Sequence, residues 1–205
     1  MNDDPSCHID LVYLRTENYI APVNKTELIG YLERIDAALH GPNILCVYGS
    51  TAFILLDEPD RTSLDIDIAA PYSSVDFPDL TQAASAAGLP LNPAEDFPSD
   101  HIEWISALRL CLPKPVPETE SVLWQGKHLA VKTVSIPQLI ASKLIRYDEI
   151  DRSDIQYLCS QVNVDFPEIA TAVGTLPHPF DRDPILLDNL ENLKVDMQMW
   201  KEASS

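Results

Sequence analysis

From Asn24 to Gly41 the chain reads NKTELIGYLERIDAALHG, with Leu28, Tyr31, Leu32, Ile35 and Leu39 recurring at steps of three and four. That spacing predicts a helix with one apolar face, closed by Gly41. The pattern then changes. NILCVYGS is a short apolar run that stops at Gly49, as a buried strand does before a tight turn, and TAFILLDE resumes directly as a helix. LDIDIAAP predicts a second strand, halted by Pro71, and DLTQAASAAG an alanine-rich helix ending at Gly88. Two more strands are expected within HIEWISALRLCLP and KHLAVKTVS, with WQGK as the turn before the latter. IPQLIASKLIRYD, with Ser135 as cap and Pro137 in its first turn, and DRSDIQYLCSQV read as helices. After Phe166 the proline-broken stretch PHPFDRDP leads to ILLDNLENLKVDMQMW, an amphipathic terminal helix with Leu186, Leu187, Leu190, Leu193, Val195 and Met199 as its core stripe.

Strands interleaved with helices, then helices alone, predict an α/β (α+β) fold: a small mixed sheet with helices packed on it and a helical C-terminal portion. The division falls at residues 1–134 for the αβ core and 135–205 for the helices packed on it. The 205 residues suffice for one substantial core. Seventeen prolines against six glycines predict short, stiff connections rather than flexible linkers.

Composition narrows the choice of partner. Fourteen basic against 32 acidic residues give a formal charge of −18, which repels phosphate backbones unless a local basic patch intervenes and attracts basic protein partners. Cys7, Cys46, Cys111 and Cys159 lie far apart with no metal-ligand spacing, as buried thiols of a reducing compartment do. The acidic start MNDDPSCHID is unlike a signal peptide, and no run is long enough for a membrane span, so a soluble cytoplasmic protein is expected. The five histidines form no triad or metal pattern, and Trp104, Trp124 and Trp200 read as packing anchors.

The chemistry concentrates in RTSLDIDI, residues 61–68. On a strand Asp65 and Asp67 share one face while Leu64, Ile66 and Ile68 take the other, toward the core. Two carboxylates so close repel unless a cation joins them, and hard oxygen donors suit Mg²⁺. Gly49-Ser50 at a helix entry lets the backbone approach a phosphate group closely, with the Ser50 hydroxyl as a further donor. Together the two segments predict a site for a nucleoside triphosphate (NTP) and a metal ion. Taken singly, each has a plainer reading: Gly-Ser as a turn, Asp-x-Asp as an exposed edge, Lys143 and Arg146 as a solvated helix face, and Asp151 as an N-cap with Asp154 in the first turn.

Tyr48-Gly49-Ser50 followed, after fourteen residues, by Asp65-Ile66-Asp67 resembles the nucleotidyltransferase superfamily, which has the DNA polymerase beta-like fold. Arg61, Ser63, Asp65 and Asp67, with Lys143-Leu144, Arg146 and Asp151-Arg-Ser-Asp154 downstream, are similar to the branch related to AbiEii-type toxins; the likeness spans about residues 43 to 160. The resemblance implies metal ligation by Asp65 and Asp67 and nucleotide binding by Gly49, Ser50, Arg61, Ser63, Lys143 and Arg146. Lys143 would contact the triphosphate, and an acid of the Asp151/Asp154 pair, here Asp154, would activate or orient the acceptor. It further implies Mg²⁺ as cofactor, an RNA or protein acceptor and a cognate antitoxin. The chain departs from the pattern in two places. Ile150 stands where an Arg is usual, and LAVKTVS carries Lys132 rather than a third carboxylate, leaving Glu103 as the stand-in. A catalytically degenerate binding or regulatory module of the same fold is the alternative.

Overall fold

A computed structural model describes residues 22–59, 61–93, 97, 99–107 and 109–203. Helix α1 (Lys25–Ala38) begins at a capping box: the Asn24 side chain accepts from the Glu27 N–H at 3.1 Å, and the Asn24 N–H donates to the Glu27 carboxylate at 3.0 Å. It buries Leu28, Leu32 and Ile35, the stripe its periodicity predicts. Strand β1 (Asn43–Cys46) leads through Val47 and Tyr48 into α2 (Gly49–Leu55), and β2 (Asp65–Ala69) runs into a 3-10 turn at Ala70–Tyr72 that contains Pro71. Helix α3 (Phe77–Ala86) is released by Gly88, whose φ of +81° is the left-handed geometry glycine adopts freely.

Strands β3 (His101–Ile105), β4 (Ser121–Gln125) and β5 (Leu129–Thr133) complete the sheet structure of the described residues. Parallel β1 and antiparallel β4 flank β5 in a three-stranded mixed sheet, while β2 and β3 form a parallel pair. A bridge between Val47 and Ile68 joins the two at the end of β1. The result is the small mixed sheet of an α/β chain, followed by α4 (Ile136–Lys143), α5 (Glu149–Gln161), α6 (Phe166–Val173) and α7 (Pro184–Ala203). Helix α4 packs against α5 and α6, and α6 against α7. Buried side chains from both portions, from Phe53 and Ile68 to Leu139 and Leu193, belong to one contiguous core. No helix among the described residues is long and apolar enough to cross a membrane.

Several boundaries differ from the sequence pattern for physical reasons. The apolar run after Ile105 leaves the sheet and buries Leu110 and Leu112 as irregular chain, with the Tyr72 hydroxyl donating to the Leu112 carbonyl at 3.0 Å. Strand β4 was not expected: Trp124 and Gln125 belong to it, and the turn begins only at Gly126. Helix α6 lies where no element is predicted from the sequence, although Asp165, Pro167 and Glu168 give it a full capping box with proline in the first turn. Leu64 does not join the core; it precedes β2 and is exposed. On α7, Leu186, Leu190, Leu193 and Met197 are buried while Leu187, Val195 and Met199 face outward, so the apolar stripe is narrower than expected. Cys46 is buried and Cys111 and Cys159 are partly so, with Cys7 outside the described residues.

Candidate functional site

Asp65 and Asp67 point to one face of β2, as alternation requires, while Ile66 and Ile68 go into the core on the other. Parallel pairing sets Asp67 directly opposite Glu103 and Asp65 opposite His101. Cross-strand partners share a face, so the pairing brings a third carboxylate beside the first two. Oxygens of Asp65, Asp67 and Glu103 all lie within 4.8 Å of one another, and all three residues are partly buried. This is an oxygen-only donor set that could hold a metal ion. The sequence pattern offered Glu103 only as a substitute for an acid missing from β5; the register of β2 against β3 is what puts it in place.

The turn before α2 closes over this cluster. Gly49 has φ +55°, and a Cβ at that position would stand 2.7 Å from Asp67 Oδ2. Glycine is thus required twice, once by the backbone and once by the carboxylate it covers. Both backbone groups of Asp67 are tied to the same turn: its N–H donates to Thr51 Oγ1 at 3.0 Å, and its carbonyl accepts from the Tyr48 N–H at 3.4 Å. Ser63 Oγ donates to Asp65 Oδ1 at 3.1 Å, orienting the first carboxylate. Nothing comparable neutralises the cluster. Burial, then the Asp65 and Glu103 carboxylates, push Asp67 up to about 7, with Lys143 and Arg109 offsetting part of the shift. Burial and the same three carboxylates raise the neighbouring Tyr48 phenol above its ordinary range.

The remaining sequence candidates form a second cluster, between α2 and the helices. Lys143 Nζ donates to Asp151 Oδ1 at 2.8 Å and Asp154 Oδ2 at 2.5 Å, and lies 5.0 Å from the centroid of the Phe53 ring. The lysine is only 7% exposed, Asp151 1% and Asp154 0%. Arg146 makes two 2.8 Å hydrogen bonds to the Asp151 carboxylate. Arg61 spans from Ser50 Oγ, at 2.9 Å, to Asp154 Oδ2, at 3.2 Å. Helix α4 stops at Lys143, so Lys143 and Arg146 do not share a helix face. They converge because both reach for Asp151.

Two features of this cluster were not read from the sequence. Asp148 is the N-cap of α5, its side chain accepting from the Asp151 N–H, so the cap lies three residues before Asp151. Glu58 stands beside Arg61 and Asp154, and burial together with the Asp154 carboxylate pushes it up to about 7. Spacing alone gave no sign of Glu58, because the carboxylate that acts on it, Asp154, comes from α5.

The chain matches no protein-family model, no curated protein and no solved structure. The site therefore has to be argued from its own geometry.

Proposed function

We propose that this chain is a metal-dependent nucleotidyltransferase-like protein of the nucleotidyltransferase superfamily, transferring a nucleoside monophosphate from an NTP to a hydroxyl of an RNA or protein acceptor. The observation that carries this reading is the set of three carboxylates, Asp65, Asp67 and Glu103, gathered beneath Gly49 with oxygens within 4.8 Å of one another. The donor set fits a hard divalent ion, Mg²⁺ by preference, because its three oxygen donors leave positions for water and phosphate oxygens. Such an ion, when bound, withdraws charge from the phosphate oxygens and orients them.

Each residue then has a part to play. Asp65, held by Ser63, and Asp67, held by the Tyr48–Thr51 turn, present fixed carboxylates, so little reorganisation is needed when the site fills. Gly49, with no side chain, lets the turn lie directly against the Asp67 carboxylate. The acceptor oxygen bonds to the α-phosphorus, the bond from that phosphorus to the β-phosphate bridging oxygen breaks, pyrophosphate leaves, and the hydroxyl proton passes to solvent. Positioning and electrostatics supply the rate. The toxin role and a cognate antitoxin rest on the resemblance of the Arg61–Asp67 and Lys143–Asp154 motifs.

One observation favours a second reading, a degenerate module that retains the fold without transfer: the Ser50 hydroxyl and the Lys143 ammonium are already engaged by the chain's own side chains. Incubation of the protein with each labelled NTP, Mg²⁺ and total RNA or protein separates the two. Transfer by the wild type that is lost in Asp65→Asn, with folding intact, is the expected result. Transfer retained by Asp65→Asn contradicts the mechanism, and no transfer by the wild type favours the module.

A further inference from the structure

Two cations act on Asp67, Lys143 and Arg109, and their situations are opposite. Lys143 is buried and shared by two carboxylates. Turning it toward a ligand would break two buried ion pairs and leave Asp151 to Arg146 and Asp154 to Arg61 alone, a costly change in a dry interior. Arg109 is exposed, and among the described residues its side chain makes no hydrogen bond or ion pair. It stands just after β3, where its N–H donates to the Ser106 carbonyl at 3.1 Å and the buried Leu110 and Leu112 anchor the chain that follows. Its guanidinium is thus held by no hydrogen bond or ion pair among the described residues, while it acts on Asp67 electrostatically.

Arg109 and Glu103 line the same cleft, a space of about 480 Å³ shared with Phe97, His101 and Trp104. That volume is within the ordinary range for a nucleotide-sized ligand. The cleft thus carries both a carboxylate of the acidic triad and an exposed guanidinium. A guanidinium pairs with phosphate oxygens through a planar fork of donors, which a lysine cannot reproduce. We propose that Arg109 is the phosphate-binding cation of this site, receiving the polyphosphate of a nucleoside triphosphate whose metal ion is held by Asp65, Asp67 and Glu103. The assignment rests on the nucleotidyltransferase reading above. It gives Arg109 the triphosphate contact that the sequence resemblance implies for Lys143.

The test compares wild type, Arg109→Ala and Arg109→Lys by calorimetric titration with ATP, GTP, CTP and UTP in Mg²⁺, and with the matching monophosphates. Mn²⁺ binding followed by electron paramagnetic resonance and the unliganded Tm serve as controls. Arg109→Ala is expected to weaken triphosphate binding about ten- to hundredfold, the worth of one or two charge-assisted hydrogen bonds. Monophosphate affinity and Tm stay at wild-type values, Mn²⁺ affinity is undiminished or higher because a cation near Asp67 is gone, and Arg109→Lys recovers part of the loss. If the wild type binds a triphosphate and Arg109→Ala binds it equally well, the assignment is wrong while the function stands. A loss of Mn²⁺ binding or of Tm in Arg109→Ala makes the residue structural and also overturns it. If the wild type binds none of the four triphosphates, the nucleotidyltransferase reading fails and takes this inference with it.

Discussion

Two acidic clusters border α2, one against Gly49 and one against Phe53, and their charges are balanced differently. Around Lys143, the carboxylates of Asp151 and Asp154 meet Lys143, Arg146 and Arg61 in direct ion pairs, and Asp151 is held below the ordinary carboxylate range by its hydrogen bonds to Arg146 and Lys143 despite its burial. On β2 and β3, Asp65, Asp67 and Glu103 face one another with no ion pair among the described residues, and Asp67 is pushed up to about 7. Charge satisfied from within holds a fold together. The Lys143 cluster keeps some buried polar atoms without hydrogen-bond partners, Glu58 Oε2 and Asp154 Oδ1 among them, but its carboxylates have cations beside them; the β2–β3 acids have no ion pair among the described residues, which is why the proposed ligand site is placed there.

The contrast predicts opposite responses to substitution. Lys143→Ala leaves two carboxylates buried without their shared cation and is expected to cost about 3–5 kcal/mol of stability. Asp67→Asn removes a repulsive charge and is expected to leave the unliganded Tm unchanged or raise it. Denaturant melts of the two variants beside the wild type check both. An intact Lys143→Ala would show that the ion pairs are dispensable, and a collapsed Asp67→Asn that the β2 carboxylate is structural.

A smaller effect concerns pH. Folded Asp67 keeps a proton that the unfolded chain has already released, so between about pH 4 and about pH 7 the native state binds the extra proton. Stability of the metal-free protein therefore falls as pH rises through that window and levels off above it. Glu58, also raised to about 7, adds to the same decline from the other cluster. Melts of wild type, Asp67→Asn and Glu58→Gln from pH 4.5 to 8 apportion it: each variant is expected to flatten the slope, and an unchanged slope in Asp67→Asn would show that Asp67 has no raised pKa.

Local pattern and tertiary context divide cleanly in this molecule. The alternation in LDIDI placed Asp65 and Asp67 on one face, and Gly49 at the end of an apolar run marked the turn over them; both are statements about neighbours in sequence. Helix α1 was legible for the same reason, with its periodic stripe and its Asn24 cap. The position of Glu103 was not, because it depends on which strand pairs with β2 and in what register, a choice made by the whole sheet. The Lys143 cluster shows the same limit. Its residues could be picked out by spacing, but their burial against one another arises from the packing of α4 on α5, with the Phe53 ring of α2 against the Lys143 ammonium. Strand β4 and helix α6 went unread for different reasons: SVLWQ is half-exposed and short, and the capping box of α6 was overshadowed by the prolines around it.

Direct Mn²⁺ titration at pH 8, followed by electron paramagnetic resonance, tests most sharply whether Asp65, Asp67 and Glu103 act together as a metal centre. The wild type is expected to take up the ion at a saturable site that disappears in Asp65→Asn and in Asp67→Asn, while neither variant melts below the wild type. Absence of bound Mn²⁺ in the wild type, or its undiminished retention in the two variants, would contradict that account.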